Sequence, residues 1–300
     1  MCLELFSQTG SPPVLNATDD QVFCPGSAIK IAPSFTITPS PGDPGIVSFS
    51  IQISSGYQLN FDLLDIDTTP YPSIDTADWN PSEGKLTLTT PVGVPFLSYP
   101  ELQSAVREVI FSTTATTITN EKKFSLTFGD ANYLPKTDHF YQYIKSTGIT
   151  WDAARTEAAT RTYYGRTGYL ATLLSQEEAD FAGKQAAGAG WIGGSDAGTP
   201  DVWKWVTGPE AGTIFWRGRA DGFSPDNGFA FWNNKNGSNE PNNFNNSNED
   251  YVHITAPGVG IDGSWNDLTN TGDAAGNYQP KGYIVEFGTP GDPTLDIVAA

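Results

Sequence analysis

The spacing of apolar residues changes near the middle of the chain, and this change limits the fold more than any other feature. Before residue 131, short alternating or β-branched runs are separated by Gly, Pro, Asn or Asp, which predicts an all-β sandwich of the immunoglobulin-like type. Strands are expected at residues 35–38, 47–53, 85–90, 109–113 and 124–128. A helical turn is predicted at 99–107, because Pro100 suits a first turn and Leu102 and Val106 share a face.

The second half of the chain begins with helical periodicity. A first amphipathic helix is predicted over residues 150–161 with Thr150 as its N-cap. A second helix is predicted over residues 175–187, where Ser175 and Glu178 have the spacing of a capping box. The chain then becomes rich in Gly, Asn and Trp, with short strands expected at residues 202–206, 251–255 and 283–287.

These patterns predict a multi-domain protein. We assign residues 1–133 to the β-sandwich, which would act as a spacer, and residues 134–288 to an α+β domain with two helices and a long loop region. Residues 289–300 contain Gly and Pro and then an apolar run, so they are interpreted as a linker into a further domain.

Charge and cysteine content exclude several classes of protein. The net charge of −18 is evenly spread, with 5 Lys and Arg against 14 Asp and Glu in residues 1–135 and 11 against 20 in the rest. Nucleic acid binding needs a basic patch, so it is not expected. No apolar stretch reaches the length of a membrane span, so membrane insertion is not expected either. No disulfide can form beyond Cys24, and its pairing with Cys2 stays open.

Oxygen-bearing side chains recur in the second half in an order that suits a calcium ion. Residues 231–250 contain nine asparagines, a density also typical of disordered or aggregation-prone polar tracts. Calcium takes about six to eight oxygen ligands from carboxylates, amides and backbone carbonyls. The candidate metal ligands are Glu240, Asn242, Glu249, Asn266 and Asp267. Three carboxylates hold a dication and leave oxygen positions for a neutral ligand.

The same residues carry a family resemblance. Trp191-Ile-Gly-Gly194, Glu240-Pro-Asn242, Glu249-Asp250 and Trp265-Asn-Asp267 resemble the C-type lectin domain in order and approximate spacing, over about residues 139–288. The resemblance implies that the five candidate ligands coordinate one calcium ion, Asp267 also through its backbone carbonyl. It also implies that Pro241 follows a cis peptide bond and directs its two neighbours toward the ion.

The resemblance further implies a carbohydrate partner. Two vicinal hydroxyls of a sugar would complete the coordination, each donating to a carboxylate and accepting from an asparagine amide. Glu-Pro-Asn in this family accompanies mannose, glucose, N-acetylglucosamine and fucose, whereas Gln-Pro-Asp accompanies galactose. The family's usual cysteines are missing, and Tyr251 stands where one is expected, so stability would depend on core aromatics.

Other residues of this half are secondary candidates. The resemblance implies a possible second calcium site at Asp196, Asn243 and Asp250, together with Glu249, although Pro200 stands near an expected carboxylate. Phe244 and Trp232 flank the asparagine-rich tract and could contact the apolar face of a sugar. The structural alternative is core packing, and we favour it for Trp191, Trp203 and Trp265. His139 and His253 are also predicted to be structural, because neither has other metal-binding residues at the spacing of a zinc site.

The first half has a fainter resemblance to immunoglobulin-like or cadherin-like repeats of large adhesins. It rests on Ser54-Ser-Gly-Tyr57, on residues 84–89 and on residues 102–112. Together the two halves resemble secreted, multidomain cell-surface proteins of Bacteroidetes-type bacteria. Asp62, Asp65 and Asp67 are either calcium ligands between repeats or solvated loop residues.

No common catalytic motif occurs, so an enzyme is not expected. The sequence predicts calcium-dependent carbohydrate binding by a secreted or cell-surface bacterial adhesin. The alternative is a protein-binding or ice-binding module in which calcium stiffens a loop. A third interpretation makes the second domain a spacer as well.

Overall fold

A computed structural model describes residues 13–17, 21–24, 26–39, 41, 43, 45–75, 77–118, 121–129, 131–134, 136–163, 165–184, 189–234 and 239–292. The chain divides into two compact units. Unit 1 comprises Met1–Asp138 and Pro293–Ala300, and unit 2 comprises His139–Asp292. Cys2 and most of the proposed linker lie outside the described residues.

The described part of unit 1 contains three antiparallel sheets. Its strands are β1 (Val14–Asn16), β2 (Ala28–Lys30), β3 (Thr36–Thr38), β4 (Ser48–Ser55), β5 (Asp62–Asp65), β6 (Asp78–Asn80), β7 (Lys85–Thr89), β8 (Ile110–Thr113), β9 (Lys123–Phe128) and β10 (Asn132–Leu134). The sheets have the orders β1-β3, β2-β8-β5 and β6-β7-β4-β9. The five predicted strands, at β3, β4, β7, β8 and β9, are confirmed within two residues at each end. The short strands β1, β2, β5, β6 and β10 were not predicted.

Apolar side chains join the sheets of unit 1 into one core. Phe111 of β8 contacts Phe124 of β9 with ring centroids 5.4 Å apart. The predicted helix is confirmed as α1 (Tyr99–Val106), which has Pro in its first turn and buries Leu102 and Val106. Unit 1 is therefore mostly β, and its immunoglobulin-like assignment stays a prediction.

Unit 2 is also mostly β. Its strands are β11 (His139–Lys145), β12 (Thr162–Tyr163), β13 (Arg166–Leu170), β14 (Trp191–Ser195), β15 (Val202–Trp205), β16 (Ile214–Arg217), β17 (Tyr251–Ile254), β18 (Trp265–Leu268) and β19 (Gly282–Phe287). The last strand, β19, pairs antiparallel with β11 and β13 and parallel with β14. β14 also pairs antiparallel with β15, and β15 pairs with β16. In addition, β14 pairs with β17, which forms an antiparallel hairpin with β18.

In the described residues, the α-helical parts of the two predicted helices of unit 2 are shorter than predicted. Helix α2 (Trp151–Ala158) begins as expected, with Thr150 Oγ1 accepting from Ala153 N at 3.2 Å. It ends before residue 161 because the chain turns into β12. Helix α3 (Gln176–Glu178) continues as the π-helical segment Ala179–Lys184, and residues 185–187 lie outside the described chain.

The capping box at α3 differs from the expected pattern. Ser175 Oγ accepts from Glu178 N at 3.2 Å, as predicted. The Glu178 carboxylate, however, accepts from Leu174 N at 2.8 Å and from Ser175 Oγ at 3.0 Å. Glu178 is buried, and its carboxylate also accepts a hydrogen bond from the Tyr141 hydroxyl on β11. This contact with a distant strand holds the carboxylate in the interior. None of the described helices is long and apolar enough to cross a membrane.

Candidate calcium site

Glu240 and Pro241 begin the loop that carries the first candidate ligands. Both residues are buried, and the Glu240–Pro241 peptide bond is cis. Glu240 N donates to Asn233 O at 3.1 Å, and Asn233 N donates to Trp265 O at 2.8 Å. The loop is therefore attached to the beginning of β18, the strand that contains Asn266 and Asp267.

Asp267 holds this loop with both oxygens of its carboxylate. Oδ1 accepts from Asn242 N at 3.0 Å and Oδ2 accepts from Asn243 N at 2.7 Å. Asp267 is 1% exposed, so these bonds form where water competes poorly. The result is that residues far apart in sequence, on the loop and on β18, form one cluster.

The asparagine-rich tract forms a specific turn. Four of its residues, Asn243, Asn245, Asn246 and Asn248, have φ between 46° and 59°. Asparagine tolerates this left-handed region better than other residues with a Cβ atom. The turn closes through Glu249, whose carboxylate accepts from Phe244 N at 2.5 Å and whose N–H donates to Asn243 Oδ1 at 3.3 Å. These four asparagines therefore have a role in the backbone conformation of the turn, in addition to any role in binding a ligand.

Three oxygens of the candidate ligands are buried without a hydrogen-bond partner. They are Glu240 Oε2, Asn242 Oδ1 and Asn266 Oδ1. A buried acceptor without a donor costs about 1 to 3 kcal/mol, so native proteins rarely leave several of them together. Carboxylate and amide oxygens are the donors that a hard cation prefers. The residues present therefore fit a calcium ion.

The carboxylates of the cluster resist ionisation. The pKa of Glu240 is raised by burial, by a hydrogen bond to Asp267 and by the charges of Asp267 and Glu249. Burial raises the pKa of Asp267 and also raises the pKa of Glu249 to about 7, with the Asp267 charge contributing to the latter. Such repulsion among acids is relieved by a bound cation.

The carboxylates alone do not form a ready-made metal cluster. Among the described residues, no group of three or more His, Cys, Asp or Glu side chains is arranged to hold a metal ion. Glu249 instead binds the backbone of its own turn, as described above. Any ion at this place would therefore depend on the amide oxygens of Asn242 and Asn266.

The candidate residues for a second calcium lie near one another. Asp196 N donates to Asp250 O at 3.1 Å, and Asp196 Oδ1 is buried without a partner. Burial raises the pKa of Asp196 to about 6, and the charges of Asp250, Asp201 and Asp267 add to the shift. Sequence reasoning missed Asp201, which follows Pro200 and donates its N–H to Asp196 Oδ2 at 2.8 Å.

The two aromatic candidates occupy different environments. Phe244 is 65% exposed at the turn of the asparagine-rich loop, so its ring is available to a ligand. Trp232 is 7% exposed and packs edge-on against Trp203 at 4.9 Å between centroids. The expectation that Trp232 contacts a sugar needs correction, because its ring belongs to the core. The core assignment of Trp191, Trp203 and Trp265 is confirmed, with exposures of at most 2%.

Both histidines have structural contacts. His253 is fully buried against the Trp191 ring, and burial lowers its pKa to about 3. His139 Nδ1 lies 2.6 Å from Glu286 Oε1, which joins the first and last strands of unit 2.

The aspartates of the acidic loop in unit 1 have partners within the protein. Lys122 Nζ occupies the cation position, 2.7 Å from Asp62 Oδ2 and also bonded to Gly56 O. Asp65 and Asp67 accept hydrogen bonds from nearby backbone N–H groups at Ile66 and Thr69. Lys122 thus pairs with Asp62, while backbone N–H groups bind the carboxylates of Asp65 and Asp67.

These pKa shifts predict how pH affects stability when calcium is removed by a chelator. The folded pKa values of Glu249 and Asp196, about 7 and about 6, lie above their unfolded values. Their contribution is therefore complete below about pH 4 and is lost as pH rises to about 7. We expect the melting temperature of unit 2 in chelator to fall across this window, and calcium affinity to rise across it, because binding displaces the protons.

Differential scanning calorimetry from pH 4 to 8 tests this expectation. Other buried acids titrate in the same direction, so the comparison is between the natural protein and Glu249→Gln. The variant should show a flatter pH curve in chelator. Identical curves for the two proteins would contradict the assignment to Glu249.

Comparison with known proteins finds sequence similarity to two curated proteins. The chain is 33% identical over 260 residues to Halomucin from Haloquadratum walsbyi, a match that covers 84% of this chain and 3% of that protein. It is 34% identical over 104 residues to C-type lectin domain family 4 member F from Mus musculus, which covers 33% of this chain and 15% of that protein. The chain thus matches small parts of both curated relatives. No family model matches it.

Two solved structures are similar to about half of this chain. The cow C-type carbohydrate-recognition domain of CD23, crystallised in the presence of a GlcNAc2Man3 oligosaccharide, has 19% identity and a TM-score of 0.34, covering 50% of this chain and 89% of that one. A calcium-independent type II antifreeze protein has 22% identity and a TM-score of 0.33, covering 49% and 85%.

Proposed function

We propose that unit 2 is a C-type lectin-like domain that binds calcium and, through that ion, a carbohydrate. The single observation that supports this most is the set of orphaned oxygens at Glu240, Asn242 and Asn266, which lie on residues that the lectin resemblance designates as ligands. Unpaired buried acceptors are uncommon in folded proteins, and these three belong to the two sequence motifs that the resemblance assigns to one ion.

Five residues would hold the ion, namely Glu240, Asn242, Glu249, Asn266 and Asp267. When bound, calcium would supply a positive centre that accepts hydroxyl oxygens. The carboxylates of Glu240 and Glu249 can accept hydrogen bonds from sugar hydroxyls, and the amide groups of Asn242 and Asn266 can donate hydrogen bonds to the same oxygens. Asp267 would contribute to the ion while it keeps the loop in place, since each of its side-chain oxygens accepts one backbone N–H and retains a further lone pair.

The wider role we propose is adhesion from the cell surface or as a secreted protein. Unit 1 would serve as a spacer, and single sugar sites would gain strength from display in several copies. The resemblance to bacterial adhesins motivates this part of the proposal, and the bacterial source stays a prediction. A second calcium at Asp196, Asn243 and Asp250 would stiffen the loop, and Phe244 would contact the apolar face of the sugar.

One observation favours a second candidate function. Glu249 is satisfied by its own turn, and Asp267 is satisfied by the loop, so the loop can be ordered without an external ligand. This arrangement suits a protein-binding or ice-binding module in which calcium, when present, only stabilises the loop. Binding of the partner would then be insensitive to the hydroxyl pattern of any sugar.

A glycan array with and without chelator separates the two functions. The sugar proposal expects binding to mannose-type, glucose-type or fucose-containing glycans that disappears in chelator. Isothermal titration of the same protein with calcium provides the second measurement. Calcium binding without any chelator-sensitive glycan binding would favour the loop-stabilising function.

The proposed site also predicts a change of specificity. Exchanging two side chains, Glu240→Gln with Asn242→Asp, should move preference from mannose toward galactose, because donors and acceptors around the hydroxyl pair change places. Competition by the two free sugars on an immobilised glycan would measure this as a reversal of their order. Retention of the original order in a variant that still binds calcium would contradict hydroxyl readout at the ion.

A further inference from the structure

Asn233 links three segments that surround the proposed calcium site. Its backbone N–H donates to Trp265 O at 2.8 Å, directly before the ligands Asn266 and Asp267 on β18. Its backbone carbonyl accepts from Glu240 N at 3.1 Å. One residue therefore fixes the backbone of a candidate ligand relative to the strand that holds two others.

The side chain of Asn233 is anchored in turn by a third segment. Asn233 is 1% exposed, and its Oδ1 accepts from Ile261 N at 3.3 Å. A Cβ atom at Gly260 would lie 2.3 Å from both Asn233 Oδ1 and Nδ2, so the turn fits closely around this amide. Since a buried side chain with fixed partners has a fixed backbone, the turn at residues 259–263 determines where the Asn233 carbonyl points.

We propose that Asn233 is the positioning residue for Glu240, and that it sets calcium affinity without touching the ion. The inference rests on the proposed function for its effect on calcium. Its structural part, the attachment of the Glu240 backbone, is independent of any ion. The turn at residues 259–263 thereby becomes a distant determinant of the site, because Ile261 N bonds the Asn233 side chain and the Asn233 carbonyl bonds Glu240 N.

The first test compares Asn233→Ala with Thr255→Val in the full chain. Thr255 is a matched control: its Oγ1 holds the same turn from another side, 3.2 Å from Ile261 O and 2.9 Å from Ser264 O, but it is not bonded to Asn233 or Glu240 in the described contacts. Both variants should lower the melting temperature. Asn233→Ala alone should weaken calcium binding, by about tenfold or more in isothermal titration, a loss typical of residues that orient metal ligands.

Hydrogen exchange in chelator supplies a readout that needs no ion. The Glu240 amide should exchange faster in Asn233→Ala than in the natural protein and should be unchanged in Thr255→Val. Equal effects of the two variants on exchange and on calcium affinity would overturn the proposal. If the natural protein shows no calcium binding that Glu240→Gln removes, the proposed function fails, while the exchange result still decides the positioning role.

A pair of glycine variants covers the case in which Asn233→Ala does not fold. Gly258 and Gly260 lie in the same loop between β17 and β18, and both have positive φ, +79° and +83°, so alanine strains the backbone at either place. Only at Gly260 would the added methyl group meet Asn233, since nothing lies within 4 Å of a Cβ atom at Gly258. Gly260→Ala should weaken calcium binding more than Gly258→Ala, and equal losses would count against the proposal.

Discussion

Replacing Glu240 with glutamine should have opposite effects with and without calcium. In chelator, the variant should be more stable by about 1 to 3 kcal/mol, because the glutamine amide can donate to Asp267 without taking up a proton. Burial and the neighbouring Asp267 raise the pKa of Glu240, which marks the cost that glutamine removes. In calcium, the variant should bind the ion about 100-fold more weakly, because it loses a charged ligand.

Calorimetry in chelator and isothermal titration with calcium measure the two effects. Asp221→Asn is a suitable control, because Asp221 is exposed in unit 2 and this substitution changes the net charge by the same amount as Glu240→Gln. The control should alter neither quantity by more than the usual scatter for surface substitutions, about 0.5 kcal/mol. A Glu240→Gln variant that is less stable in chelator would show that the carboxylate has a structural role in the absence of calcium.

The second large effect is expected at Trp265. This residue is fully buried and contacts Trp205 and Phe215 with ring centroids 5.5 and 5.7 Å apart. Trp265→Ala should destabilise unit 2 by about 3 to 5 kcal/mol, the range for removing a buried aromatic side chain. No disulfide can compensate, because unit 2 contains no cysteine.

Denaturation by urea, followed by near-ultraviolet circular dichroism, measures this loss. Trp216→Ala is the matched control, because Trp216 is partly exposed on β16 and donates its Nε1 hydrogen to Arg219 O at 3.1 Å. The control should cost clearly less. Equal losses for the two variants would mean that the cluster of tryptophans around Trp265 is not the core that replaces the missing disulfides.

Local sequence signals predicted the regular elements well and the site only in part. The N-cap at Thr150 and the Ser175 half of the capping box were predictable because each involves residues within one helical turn. β10 escaped prediction because all three of its residues are buried, so it shows no alternation of apolar and polar residues. The C-terminal half of the second helix was also misjudged, because the π-helical segment Ala179–Lys184 has no distinct sequence pattern.

Three features of the candidate sites depend on residues far apart in the chain. Asp62 pairs with Lys122, which lies 60 residues later, so local spacing could not reveal this partner of the acidic loop. Trp232 is covered by Trp203, so its ring does not face a ligand. Asn233 gave no signal of its own, because an asparagine within an asparagine-rich tract is indistinguishable from its neighbours until its partners are known.

By itself, the sequence determined which side chains could bind a hard cation, since oxygen chemistry belongs to the residue types at Glu240, Asn242, Glu249, Asn266 and Asp267. It also determined their order and hence the resemblance to lectins. Only the tertiary structure decided which of their oxygens have partners: Asp267 and Glu249 hold backbone N–H groups, whereas Glu240, Asn242 and Asn266 each keep one buried oxygen unpaired. The physical reason is that hydrogen-bond satisfaction and burial are properties of contacts between distant segments, which residue type and local spacing do not specify.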